Sequence, residues 1–122
     1  MKFARVVFIG AGIWGIAVLT PLFFLFDYIG RQGSGPITYP QFYYGFVSVG
    51  LAWQFAFLVI GSNPARFRLL MIPSAIEKFG FVICLAVLYM QARVSSTDAA
   101  IALPDFLLGI LFLVAFAKTP SG

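Results

Sequence analysis

Long apolar runs fill this chain, and polar residues serve mainly to separate them. The stretch Val6–Phe26 carries no charge. An α-helix rises about 1.5 Å per residue, so a span over about Phe3–Phe26 covers the roughly 30 Å of a hydrocarbon core. Asp27 closes it. Gly30-Arg31-Gln32-Gly33-Ser34-Gly35-Pro36 then forbids a continuing helix. A second span follows over about Pro40–Gly61, with Thr38 placed to cap it and Pro40 where a missing N–H costs nothing.

Ser62-Asn63-Pro64 reads as a stop followed at once by a start, Asn63 as N-cap and Pro64 as first helical residue. The third span covers about 64–92, bent at Pro73. Val94–Ser96 makes a tight turn. The fourth span, about 97–118, opens at Thr97-Asp98, where an acid suits a helix N-terminus, and Pro104 kinks it. Glu77-Lys78 and Asp105 interrupt these two spans, leaving uncharged runs Phe79–Ala92 and Phe106–Ala117 that are each too short to cross a bilayer alone. Two re-entrant segments are the alternative. Full spans are favoured, because the turns at Ser62–Pro64 and Val94–Ser96 bound segments of spanning length. The expected fold is all-α: one membrane domain over residues 1–122, a four-transmembrane-helix bundle of up-down topology.

Composition agrees. The 122 residues are 61% hydrophobic and 10% charged, with mean hydropathy +1.00. A soluble domain is about half apolar and about a quarter charged. A chain this small could not hide so much apolar surface in water, so lipid is the expected solvent. The net charge of +4 comes from scattered residues with no basic stripe, which argues against nucleic acid as a partner. The placement of those charges orients the chain. With both termini cytoplasmic, the inner side carries Lys2, Arg5, Arg66, Arg68 and Lys118, and the outer side only Arg31 and Arg93. Tyr28, Tyr39, Tyr43, Tyr44 and Tyr89 all map to the outer boundary, as an interfacial aromatic belt or as the mouth of a binding site. The N-terminal basic-then-apolar pattern resembles a signal peptide, but its apolar run exceeds the roughly 7–15 residues of an h-region and no small-residue cleavage site follows. It reads as a retained first span.

Candidate chemistry is sparse. The chain has no histidine, which removes a Ser-His-Asp triad and histidine-ligated zinc or haem. A lone Cys84 cannot form an intrachain disulfide. No metal site, cofactor or enzymatic activity is expected. The ionisable groups inside the spans are Glu77, Lys78 and Asp105, and each needs a partner or a task. Folding the second span on the third about Asn63–Ala65 brings Gln54 near the depth of Glu77. Folding the third on the fourth about Ser95 puts Asp105 opposite Leu85–Ala86, with Thr20 and Ser48 near its depth. Two polar layers result, Gln54/Glu77/Lys78 inside and Thr20/Ser48/Asp105 outside. Lys78 is free to snorkel toward the cytoplasm.

Three accounts of these acids stand open. Glu77 bonds Gln54 or pairs with Lys78 while Asp105 caps an opened turn near Pro104; or Glu77 and Asp105 mark a proton- or ion-linked path; or they anchor a lipid-like ligand. Small residues beside them (Pro73, Gly80 and Cys84; Ala102 and Gly109) place both acids against protein. Ala11/Gly15 and Ser48/Ala52/Ala56 are further close-packing stripes, and Trp14 and Trp53 lie within the core depth. Arg66-Phe67-Arg68 reads as a positive-inside loop that can also contact anionic headgroups.

Phe46…Ala52-Trp53-Gln54, then Asn63-Pro64-Ala65-Arg66-Phe67-Arg68-Leu69-Leu70-Met71, then Glu77-Lys78 resembles a family of small bacterial four-helix integral membrane proteins without assigned activity. The resemblance covers most of the chain and implies the architecture and an inner-membrane location. Four-helix multidrug transporters fit less well, since their essential acid lies in the first helix and none lies there here. The leading functional expectation is a protein that acts by association, as an accessory or scaffolding subunit with a protein partner or as a homo-oligomer in membrane lipid. The alternatives are an oligomeric proton-coupled transporter using Glu77 and Asp105, and a binder of a lipid- or quinone-like ligand.

Overall fold

The computed structural model describes residues 2–25, 28 and 39–120, and of Asp98 the backbone alone. Asp27, Arg31, Thr38 and the glycine-rich segment 30–36 lie outside the described residues. Four long helices carry the fold: α1 (Lys2–Leu19), α2 (Pro40–Ser62), α3 (Met71–Met90) and α4 (Ala102–Lys118). With the 3₁₀ stretches Thr20–Phe24 and Arg68–Leu70, three segments are long and apolar enough to cross a membrane: Lys2–Phe24, Pro40–Ser62 and Arg68–Met90, of 23 residues each. α4 has 17 residues and spans about 25 Å, short of a full hydrocarbon core.

Prolines set the helix boundaries, and in two places they overturn the expected bends. Pro73 is the third residue of α3 and Pro104 the third of α4. In a helix running from residue 64, the Pro73 ring would clash with the carbonyl four residues earlier and remove a hydrogen bond. In the first turn its missing N–H is one that no helix satisfies. The chain therefore spends residues 63–67 on a turn, in which Asn63 Oδ1 accepts the Arg66 N–H at 3.4 Å and the Asn63 carbonyl accepts the Phe67 N–H at 3.1 Å. Pro104 likewise opens α4 rather than kinking it, and Ser96–Ala99 is a separate single turn. Pro21 acts differently. It ends α1 at Leu19 and tightens the continuation into a 3₁₀ helix, where one unbroken helix to Phe26 was expected. Tyr43 donates its hydroxyl to the Leu22 carbonyl at 2.7 Å, so α2 supplies a partner in the tightened stretch. α3 ends earlier than the expected turn at Val94–Ser96: Ala92 has φ 58°, the Arg93 N–H donates to Leu88 O and the Ala92 N–H to Tyr89 O. That is a Schellman cap.

α1 packs along α2, α3 along α4, and α1 against α4, whereas α2 and α3 barely touch. Both hairpins are antiparallel. Gly12 and Gly15 meet Gln54, Gly61 meets Ile9, and Gly50 faces Leu19. At the centre Phe8 stacks on Phe112 at 4.2 Å, and Phe57 meets both rings edge-on. Ala11, Gly15, Ala102 and Gly109 are buried, as their small size foretold, but Ser48 and Ala52 face outward.

Glycine is required where α1 crosses α2. A Cβ on Gly12 would stand 2.8 Å from the backbone oxygen of Gln54, which cannot retreat without parting the helices, whereas one on Gly10 meets nothing within 4 Å. Gly12→Ala should lower stability in detergent by about 1–3 kcal/mol through overpacking. Gly10→Ala should raise it by up to about 1 kcal/mol through helix propensity, as read by thermal unfolding of the two variants side by side.

Candidate functional site

Lys78 lies twelve residues short of the end of α3 and ten past Arg68, so its Cα sits near the middle of the Arg68–Met90 segment. Its side chain is 5% exposed, buried against the core rather than stretched toward an interface. Nζ donates to Asp105 Oδ1 at 3.3 Å and lies 5.2 Å from the centroid of the Phe57 ring. Glu77 Oε2 is 3.8 Å from the same nitrogen. An ammonium surrounded by two carboxylates and an aromatic face replaces the expected snorkelling side chain. The reason is distance: ten residues of helix are about 15 Å, and a lysine side chain extends only about 6 Å.

The same contact merges the two expected polar layers. Asp105 meets Lys78, not the level of Leu85–Ala86. The register agrees elsewhere: Phe79 packs on Gly109 and against Phe106, and Arg68 Nε donates to the carbonyls of Phe116 at 3.2 Å and Thr119 at 2.7 Å. Because α4 starts only at Ala102, residues 91–101 run back into the structure before the helix begins, which carries Asp105 to mid-depth. Thr20 and Ser48 are exposed and belong to no such layer. Asp105 stands in the first turn of α4, where the helix dipole favours a carboxylate.

Gln54 points elsewhere too. It follows Trp53 by one residue, about 100° around α2, and faces α1. Its Nε2 donates to the Gly50 carbonyl at 2.7 Å, and its side chain packs on Gly15. It is not a partner of Glu77. Of the proposed headgroup-contacting arginines, Arg68 is instead committed to the C-terminus of α4, stacking 3.8 Å from the Phe116 ring centroid. Arg66 extends over Phe67. Among the tyrosines, Tyr43 bonds Leu22, Tyr44 stacks on Phe23, Tyr39 packs on Phe42, and Tyr28 and Tyr89 are half exposed.

The seam where α2 and α3 fail to meet forms a groove of about 440 Å³. Gly45, Phe46, Val49, Gly50 and Trp53 line it from α2, and Glu77 and Phe81 from α3. Phe46 and Phe81 stack across one end at 5.8 Å. Phe46 and Val49 are half exposed or more, so the groove opens sideways on the face that hydrocarbon would cover. Glu77 is its one ionisable wall, and Oε2 is buried without a hydrogen bond among the described residues. Sequence reasoning found Glu77 but not its aromatic neighbours. Phe46, Val49, Gly50 and Trp53 do share a helical stripe, yet nothing in the spacing says that this stripe is left uncovered.

Comparison with known proteins finds no matching family model, no similar curated protein and no similar solved structure.

Truncating one member of a buried ion pair strands the other, at a typical cost of about 3–5 kcal/mol, while replacing both with apolar groups is near neutral. Lys78→Met, which strands both carboxylates, should accordingly destabilise the protein by about 3 kcal/mol. The triple variant Glu77→Gln/Lys78→Met/Asp105→Leu, which leaves no charge of the cluster stranded, should recover most of that loss in the same detergent melting assay.

Proposed function

We propose that this is a four-span protein of the bacterial inner membrane that binds a hydrophobic small molecule entering sideways from the bilayer into the α2/α3 groove. The groove itself carries the reading: a volume within the range of small-molecule sites, mostly apolar and aromatic walls, and one convergent polar group. α4 serves as the fourth span, the preceding turn Ser96–Ala99 adding length at its outer end. Both termini lie in the cytoplasm. In support, Lys118 sits over the Phe3 ring and Arg68 binds the end of α4, which gathers basic residues at one end, while Tyr43 and Tyr44 meet Leu22 and Phe23 at the other.

Association remains the second reading, favoured by Gly45 on the open seam, since a small residue permits close approach of a partner helix. An accessory subunit would close the groove with polypeptide rather than ligand.

A Cβ at Gly45 meets nothing within 4 Å, so Gly45→Leu fills the groove without disturbing the helices that form it. Native mass spectrometry of protein extracted in mild detergent should show a bound small molecule or lipid on the wild type and none on Gly45→Leu. A ligand retained equally by both would sink the groove as its site. A bound protein subunit lost in Gly45→Leu would favour the association reading instead.

A further inference from the structure

Glu77 and Lys78 are consecutive in α3, so their side chains leave the helix about 100° apart. Lys78 turns to α4 and the phenylalanine core, and Glu77 turns to the seam. Between them and Asp105 the cluster holds one ammonium and two carboxylates. With all three ionised, one negative charge is left over. Asp105 takes the hydrogen-bonded contact at 3.3 Å, and Glu77 Oε2, buried on the Lys78 side, makes the looser ion pair at 3.8 Å. The less fully matched charge is therefore that of Glu77, which is the carboxylate that lines the groove. Around it stand the rings of Phe46, Trp53 and Phe81. Aromatic faces attract cations, most strongly where water is excluded.

We infer that the occupant of the groove is a small lipophilic organic cation, its amine or onium head against Glu77 and its apolar body against Phe46, Trp53 and Phe81. The inference rests on the groove-binding reading above and adds the charge of the ligand. A metal ion is a poor fit, because one carboxylate and aromatic walls cannot replace the oxygen shell that a hard cation demands. An anion would meet the excess negative charge. A neutral molecule fills the volume but leaves Glu77 unmatched.

The protein contains its own reporter. Its two tryptophans are Trp14, exposed on α1, and Trp53, in the groove wall, so Trp14→Phe leaves Trp53 as the sole tryptophan, excited selectively at wavelengths too long for tyrosine. In that background, tetraphenylphosphonium and tetraphenylborate serve as probes of like size and shape and opposite charge. The expected result is a saturable change in Trp53 emission with tetraphenylphosphonium and a markedly weaker affinity for tetraphenylborate. Glu77→Gln should weaken the cation by about tenfold or more, the scale of one lost charged contact, and leave the anion unchanged or improved. Should that variant fail to fold, the comparison of the two ions on the parent protein decides alone. Equal affinity for both ions, abolished by Gly45→Leu, would overturn the charge inference while leaving the groove as a binding site. A response indifferent to Gly45→Leu would be partition into detergent and would overturn it too. Silence toward both ions overturns it, and a dimer that Gly45→Leu dissociates would then identify a second copy as the occupant.

Discussion

A lysine ammonium at mid-depth is the constraint from which the rest of this structure follows. Placing Lys78 at the centre of a span costs about 3 kcal/mol on insertion scales, and more if the side chain finds no partner. It cannot reach an interface, so partners must come to it. Asp105 supplies the carboxylate from the first turn of α4, and Phe57 supplies a ring face from α2. A desolvated cation–aromatic contact is worth up to about 2 kcal/mol, and a charged hydrogen bond about as much. Together they offset the cost. They also fix the register of α3 on α4, which Arg68 repeats at the far end through the carbonyls of Phe116 and Thr119.

That register accounts for the open seam. α3 commits its Lys78 and Phe79 side to α4, where Gly109 lets the Phe79 ring approach. α2 commits Gln54, Phe57 and Gly61 to α1 and the core. What α2 and α3 have left to offer one another is Gly45, Gly50, one aromatic stack and a carboxylate. Glycines leave volume unfilled, and two helices held by other partners do not collapse to close it. The groove is a by-product of where the cation was satisfied.

The legible part of the fold was the part written in runs and punctuation. α2, with Pro40 at its start and Ser62 at its end, differs from its expected range by one residue. Pro73 and Pro104 were misread as bends because a proline inside an apolar run looks the same whether a helix bends or begins there. The first-turn position costs nothing, and the chain takes it at both sites. The error displaced two helix starts and, with them, the depth of Asp105. The pairing of side chains was harder still to read. In a membrane protein the lipid-facing and protein-facing sides of a helix are both apolar, so periodicity does not tell Trp53, in the groove, from Trp14, which is exposed. Charge was the better guide: Glu77, Lys78 and Asp105 were singled out because hydrocarbon tolerates such groups poorly, and they are the residues that assemble.

Within that cluster the two acids do different work. Asp105 is explained by the folded chain alone, since it matches Lys78 and complements the dipole of α4. Glu77 is not. Lys78 already has its short contact, and a carboxylate whose buried oxygen lacks a hydrogen bond costs about 1–3 kcal/mol or more. Its ion pair with Lys78, at 3.8 Å, is the looser of the two. Of the three ionisable groups in the cluster, the one that the fold uses least is therefore also the one that lines the groove.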